Sequence, residues 1–232
     1  MNVITVASRK GGTGKTTITA HLAAFAQGEG HRRLVIDADP QGSLTLWHSL
    51  RRQGALVLQT AERGLDRQLA YAQIAGYEWV FIDTAPTMWV VVQEAIRAAT
   101  LVVIPARPGF LDLAAVTETV KVARARNKPY AVVLNAAPVK REEKEAPTVA
   151  QSRAFLDLHA IPVWAGQISQ RASFALTLAA GASAGESDAQ SLATAELARL
   201  WAAIERVVAV VNTAQGGAGP DAGPGAGQPQ AA

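Results

Sequence analysis

The chain contains no cysteine. That absence excludes a disulfide framework, a thiolate-held metal or iron–sulfur cluster, and a cysteine nucleophile. Histidine is also sparse. His21, His31, His48 and His159 fall at no metal-ligand spacing, so they point to packing or surface roles. Long hydrophobic runs are missing: the apolar stretches are strand-sized, short of the roughly 18–20 residues that span a bilayer. The opening run Met1 to Ala7 meets Arg9 and Lys10 at once and does not read as a secretory signal. No internal repeat is visible. A large charge imbalance is lacking too, with 22 Lys+Arg against 19 Asp+Glu and a net charge of +3. That excess permits nucleic-acid binding without establishing it. Apolar residues are abundant: 49% of the chain is hydrophobic and 18% charged, a globular composition. At 232 residues, one domain with a small extension is the expectation.

Short β-rich runs alternate with helical segments. Expected strands cover 2–7, 33–37, 56–59, 78–83, 100–105, 129–135 and 161–164. Expected helices lie at 15–27, 43–52, 64–75, 90–98, 112–125 and 148–158, then at 171–180 and 187–211. Runs such as Trp79-Val80-Phe81-Ile82 and Leu101-Val102-Val103-Ile104 are continuously apolar, as strands covered on both faces require. The fold class expected is α/β, a mostly parallel central sheet flanked by helices with right-handed crossovers. Residues 1–213 read as one domain. Residues 214–232, rich in Gly, Pro and Ala, read as a flexible tail.

Three segments carry the chemistry. Lys10-Gly11-Gly12-Thr13-Gly14-Lys15-Thr16-Thr17 stands between an expected strand and an expected helix. Glycines there let backbone N–H groups turn toward phosphate oxygens, and the helix N-terminus adds a favourable field. Lys15 is placed for terminal phosphates and Thr16 for Mg²⁺. The usual first glycine of a P-loop is replaced by Arg9, and Lys10 precedes the glycine pair. The second segment is Asp37-Ala38-Asp39-Pro40-Gln41-Gly42 at a strand end, where ligands of such sheets bind. Asp37 and Asp39 alternate along an extended stretch and are expected to point the same way. The third is an apolar strand ending in Asp83-Thr84-Ala85-Pro86, in which the carboxylate organises a magnesium shell.

Taken together, these residues resemble the ParA/MinD family of deviant-Walker ATPases, most closely small ParA proteins without an N-terminal DNA-binding domain. Lys10 to Thr16 meet the K-G-G-x-x-K-[ST] pattern, Asp37 to Gly42 the D-x-D-P-Q-G segment, and Asp83 to Pro86 the strand end. The resemblance covers about residues 1–210. It implies a deviant-Walker P-loop fold, ATP and Mg²⁺ as cofactors, and a homodimer closed across ATP. It implies that Lys10 acts on the partner subunit's phosphates, Lys15 acts in cis, and Asp39 positions or polarises water. Thr16, Asp39 and Asp83 serve the metal. Gly11, Gly12, Thr13, Gly14, Lys15, Thr16 and Thr17 cradle the nucleotide, and Asn135 contacts adenine. The activity implied is ATP hydrolysis, weak alone and stimulated by a partner.

The implied role is segregation of plasmid or chromosome DNA with a ParB-like, centromere-binding adaptor, in the cytoplasm on the nucleoid. The ATP dimer then binds double-stranded DNA without sequence preference. Positioning of a protein cargo such as chemoreceptor clusters or carboxysomes is the alternative within the family, and a noncatalytic ATP-binding switch the alternative outside it. No membrane partner is expected, because the end of the chain is nearly uncharged and not an amphipathic cationic helix. A nitrogenase-like reductase is excluded by the missing cysteines. No acceptor-site signature supports a kinase. A basic stretch is the candidate DNA face: Lys121, Arg124, Arg126, Lys128, Lys140, Arg141, Lys144 and Arg153 against Glu142, Glu143 and Glu145, with Arg171, Arg199 and Arg206 as additions.

Overall fold

The computed structural model describes residues 1–216 except 29, 53, 55, 62, 63, 87, 88 and 143. Glu143 and residues 217–232 of the expected tail therefore lie outside the described residues. The strands are β1 (Asn2–Val6), β2 (Arg33–Ala38), β3 (Val57–Thr60), β4 (Trp79–Thr84), β5 (Leu101–Ala106) and β6 (Tyr130–Leu134). They form one six-stranded sheet in the order β3-β2-β4-β1-β5-β6, and every pairing is parallel. Every residue of β2, β4 and β5 is buried, which explains their unbroken apolar runs.

Alternate side chains of these strands feed opposite layers. On one face, Phe81 and Val35 pack with α1 (Lys15–Gly28) and α9 (Leu192–Gly216) through Ile18, Leu22, Leu197 and Ile204. Trp79 meets Trp201 of α9 with ring centroids 4.6 Å apart, so both tryptophans are core. On the other face, Val80 and Ile82 pack beside Leu65 of α3 (Leu65–Ile74), while Val102 and Ile104 pack beside Ile96 of α4 (Trp89–Ala98) and Val116 of α5 (Phe110–Ala125). Each such large apolar side chain contributes about 1.5–3 kcal/mol on burial.

Expectations change at 161–164 and at both ends of the last long helix. Residues 161–164 do not form a seventh strand; they make a single parallel bridge, Val132 to Val163. Pro162 has no N–H to donate, so a regular ladder cannot extend there. The chain instead continues as an irregular strip along β6. Ile168 N donates to Leu134 O at 2.9 Å and Ala137 N to Ile168 O at 3.0 Å. The last long helix begins at Leu192, not at 187, because α8 (Ala184–Ser187) precedes it. α8 is set by a reciprocal capping box between Ser183 and Glu186. At its other end α9 runs to Gly216, past the 213/214 boundary. The remaining helices are α2 (Ser43–Leu50), α6 (Pro147–Leu158) and α7 (Ala172–Ala179). Among the described residues, no helix is long and apolar enough to cross a membrane.

Candidate nucleotide site

The site lies at the carboxyl ends of β1, β2 and β4. Thr84 Oγ1 donates to Val6 O at 3.0 Å and ties the end of β4 to the end of β1. From Val6 the chain turns through the glycine loop into α1. Gly12 and Gly14 have φ of +73° and +93°, a region open to glycine at little cost. Gly14 is fixed for a second reason: a Cβ on it would lie 2.1 Å from Asn135 Nδ2. Asn135, at the end of β6, donates that Nδ2 to Thr13 O at 2.7 Å. Its visible work is thus to brace the loop across the sheet.

Lys15 is buried, and its Nζ donates to Lys10 O at 3.3 Å. Burial lowers its pKa, opposed by the charges of Asp83 and Asp39. Thr16 Oγ1 donates to Asp83 Oδ2 at 2.6 Å. Asp83 is fully buried and its Oδ1 has no partner. Its pKa is raised to about 7, chiefly by burial, with the Thr16 hydrogen bond opposing. A hydroxyl beside a buried carboxylate with an unpartnered oxygen fits Mg²⁺, which keeps waters and phosphate oxygens in its shell and needs few protein ligands. Consistently, among the described residues no cluster of three or more His, Cys, Asp or Glu forms an all-protein metal cage.

The two aspartates of the second segment have separate jobs. Asp37 is buried and turned into its own loop. It accepts from Thr45 N at 2.8 Å, Thr45 Oγ1 at 2.7 Å and Asp39 N at 3.1 Å. Asp39 is half-buried and lines the loop's cavity with Lys15 and Thr16. The expectation that the two carboxylates point the same way does not hold, since only Asp39 lines this cavity.

That cavity has a volume of about 680 Å³. Gly11, Gly12, Gly14, Lys15, Thr16 and Thr17 form one wall and Asp39, Pro86 and Arg107 the rim. Leu46, Trp47 and Leu50 of α2, with Leu178 and Ala179 of α7, supply an apolar wall. Sequence reasoning missed that wall, since no local pattern joins segments so far apart. Thr13 is buried behind the loop, and its hydroxyl donates to Lys10 O at 3.4 Å.

Lys10 behaves differently from Lys15. Its side chain leaves the loop and reaches Asp112 Oδ2 on the first turn of α5, 2.5 Å away. Asp112 had no signal in the sequence, being 102 residues distant.

The basic stretch 121–153 is not one free face. Arg153 donates to Glu145 and to the carbonyls of Trp164, Ala165 and Gly166. Arg124 is bonded to Tyr130 and Ala160, Arg126 to Gln93, and Lys121 to Glu118.

Comparison with known proteins places this geometry. A family described as the CobQ/CobB/MinD/ParA nucleotide binding domain matches residues 4–184. The maintenance of carboxysome distribution protein A of Gloeobacter kilaueensis is 39% identical over 120 residues, 51% of this chain and 55% of that protein. The protein of the same name from Halothiobacillus neapolitanus is 26% identical over 198 residues, covering 83% of this chain and 91% of its own length. This chain thus spans about half of the first relative and nine-tenths of the second. The chromosome partitioning protein ParA of Caulobacter vibrioides is 27% identical over 164 residues, 52% of this chain and 61% of that protein. Among solved structures, apo McdA from Cyanothece superposes with a TM-score of 0.68 at 17% identity, covering 90% of this chain and 99% of that one.

Proposed function

Because the chain belongs to the CobQ/CobB/MinD/ParA nucleotide-binding family and is a ParA/MinD-type ATPase, we propose that it hydrolyses ATP as a homodimer and distributes a cargo over DNA. The observation that carries this reading is the divergence of the two loop lysines. Lys15 is buried against its own loop, while Lys10 leaves the loop for Asp112. A cation outside its own phosphate cradle suits service to a second subunit. Supplied in trans, it would tie hydrolysis to dimerisation.

In this reading Gly11, Gly12, Thr13, Gly14 and Thr17 present the loop backbone to the phosphates, and Lys15 neutralises them in cis. Thr16 and Asp83 would hold Mg²⁺, with Asp39, which lines the same cavity, as a further candidate. When bound, Mg²⁺ supplies charge neutralisation for the phosphate oxygens. Asp39 orients the attacking water. Asn135 reaches adenine through Oδ1, since Nδ2 is given to Thr13. Arg107 on the rim is a further group facing the phosphates. Turnover is slow alone and rises with an adaptor.

The ATP dimer holds duplex DNA without sequence preference and releases it after hydrolysis, which places the protein on the nucleoid. The cargo favoured is a large protein assembly, because two relatives carry the carboxysome-distribution name. DNA segregation with a ParB-like adaptor is the second reading, favoured by the Caulobacter relative.

Light scattering after size exclusion, with and without ATP, tests the core of the proposal. Wild type should shift toward a dimer with ATP, and Asp39→Ala should accumulate that dimer by blocking hydrolysis. Lys15→Ala should lose nucleotide binding. Lys10→Ala should keep monomer nucleotide affinity within about threefold but lose ATP turnover. Equal loss of affinity in the two lysine variants would refute the trans role.

A further inference from the structure

Among the described residues two cations line the nucleotide cavity, Lys15 and Arg107, and they are held in opposite ways. Lys15 is buried and its Nζ donates to Lys10 O. Arg107 is exposed, and among the described residues its side chain makes no hydrogen bond or ion pair. The neighbouring cations of the loop are engaged: Lys10 with Asp112, and Arg9 with Glu118 at 3.8 Å. The carboxylate in the lining, Asp39, already accepts from Gln41 N at 3.0 Å through Oδ1. Arg107 is thus the cation at this rim with no commitment elsewhere.

The mount of that side chain is fixed although its tip is not. β5 ends at Ala106, which is fully buried, and runs beside β1, where Ala7 N donates to Val103 O at 3.0 Å. Asn135 N donates to Ala106 O at 2.8 Å, so the peptide leading into Arg107 is also held from the end of β6. Pro108 follows, and a proline confines the residue before it to extended backbone. A rigid strand end therefore carries Arg107 to the same cavity rim as Gly11 and Gly12.

ATP hydrolysis forms a bond from a water oxygen to the γ-phosphorus and breaks the bond from that phosphorus to the bridging oxygen. The bonding pair leaves on ADP, and the water's proton passes to the released phosphate or to solvent. Negative charge shifts among these oxygens during the step, and a cation already in place lowers its barrier. We propose that Arg107 is a catalytic cation of this ATPase, acting on the nucleotide of its own subunit. The inference rests on the ATPase reading above and gives a role to a group which that reading set only on the rim. A planar guanidinium can meet two phosphate oxygens at once. Lys10 has to leave Asp112 and cross to a second subunit, whereas Arg107 has no contact to break and lines the cavity of its own chain. While the cavity is open, water screens an exposed guanidinium. A second subunit closing over the rim would exclude that water and strengthen the same charge. Closure would then bring Lys10 from one side and sharpen Arg107 on the other.

The test compares wild type, Arg107→Ala and Arg107→Lys in the full chain with two readouts. Steady-state turnover gives kcat and KM. Calorimetric titration gives the affinity for Mg²⁺–ADP alone and with aluminium fluoride, which stands in for the phosphoryl group in transit. Arg107→Ala should lower kcat about a hundredfold with KM within about threefold of wild type. Affinity for the aluminium fluoride complex should fall by a similar factor, while affinity for Mg²⁺–ADP stays within about threefold. Arg107→Lys should lie between, as a point charge without the fork. Since the side chain has no partner to lose, the urea midpoint should not move. Equal losses of affinity for ADP and for the aluminium fluoride complex would overturn the proposal, because Arg107 would then only hold nucleotide. Variants that match wild type in both readouts would also overturn it, and would leave the ATPase reading standing. Wild type that neither hydrolyses ATP nor binds the aluminium fluoride complex would overturn the ATPase reading, and this inference with it.

Discussion

In the proposed ATP dimer, the contact between Lys10 and Asp112 is a cost that closure must meet. The pair is partly buried, with side chains 35% and 11% exposed. A charge-assisted contact of this kind is worth roughly 1–3 kcal/mol, and less toward solvent. To reach a partner's phosphates, Lys10 must give it up. Asp112→Asn lowers that cost and should strengthen the ATP-dependent dimer about three- to tenfold, with monomer nucleotide affinity unchanged. Sedimentation velocity with Mg²⁺ and a slowly hydrolysed ATP analogue measures it; a weaker dimer would contradict the trans role of Lys10. Gly14→Ala makes a second residue-level case, because its Cβ would collide with Asn135 at a φ of +93°. It should destabilise the fold by about 1–3 kcal/mol. Combined with Asn135→Ala, the loss should be less than additive, since the clash is then gone. Urea unfolding of the four-member cycle reads the coupling. The contrast between these residues also shows what sequence can carry. Lys10 to Thr17 are contiguous, so their spacing states their chemistry. Asp112 and Asn135 act on that loop from over a hundred residues away, and no local pattern marks either contact.

At the scale of elements, sequence legibility tracked burial. The fully buried strands β2, β4 and β5 were marked by unbroken apolar runs. The failure at 161–164 has the opposite cause: an edge segment with Pro162 keeps strand-like composition but cannot complete a ladder. α8 escaped notice because it has one turn, although its Ser183-to-Glu186 cap is a readable start signal. That turn depends on α1. Ala184 N donates to His21 Nδ1 at 3.2 Å, and His21 is fully buried with its Nε2 unpartnered. Burial lowers the His21 pKa to about 4. The native state therefore favours neutral imidazole, and its stability is complete above the unfolded value near 6.5. As pH falls from there through 4, the unfolded chain takes up the proton first, and stability drops by about 1.4 kcal/mol per unit, roughly 3 kcal/mol in all. Urea midpoints between pH 7 and 4.5 should show that decline. His21→Leu should flatten its share while losing the Ala184 hydrogen bond, and an unchanged slope in the variant would assign the acid sensitivity elsewhere.

For the whole molecule, the question is whether charge acts as an average or through a placed surface. The formal net charge of +3 belongs to the chain itself, whichever nucleotide is bound. Attraction to DNA by that average would be weak and indifferent to ATP. A placed cationic surface behaves differently. Each phosphate that a subunit's cations neutralise adds about −0.9 to the salt slope, so a dimer presenting two such surfaces has about twice the slope of a monomer. In the proposed cycle, closing a dimer across ATP doubles the number of such surfaces. Fluorescence anisotropy on a random-sequence duplex should show shallow salt dependence with ADP and a slope near twice as steep for Asp39→Ala trapped with ATP. Affinity at moderate salt should then differ by more than tenfold between the two states. Equal slopes in both would mean that nucleotide does not govern the number of phosphates held, and the cargo cycle would need another switch.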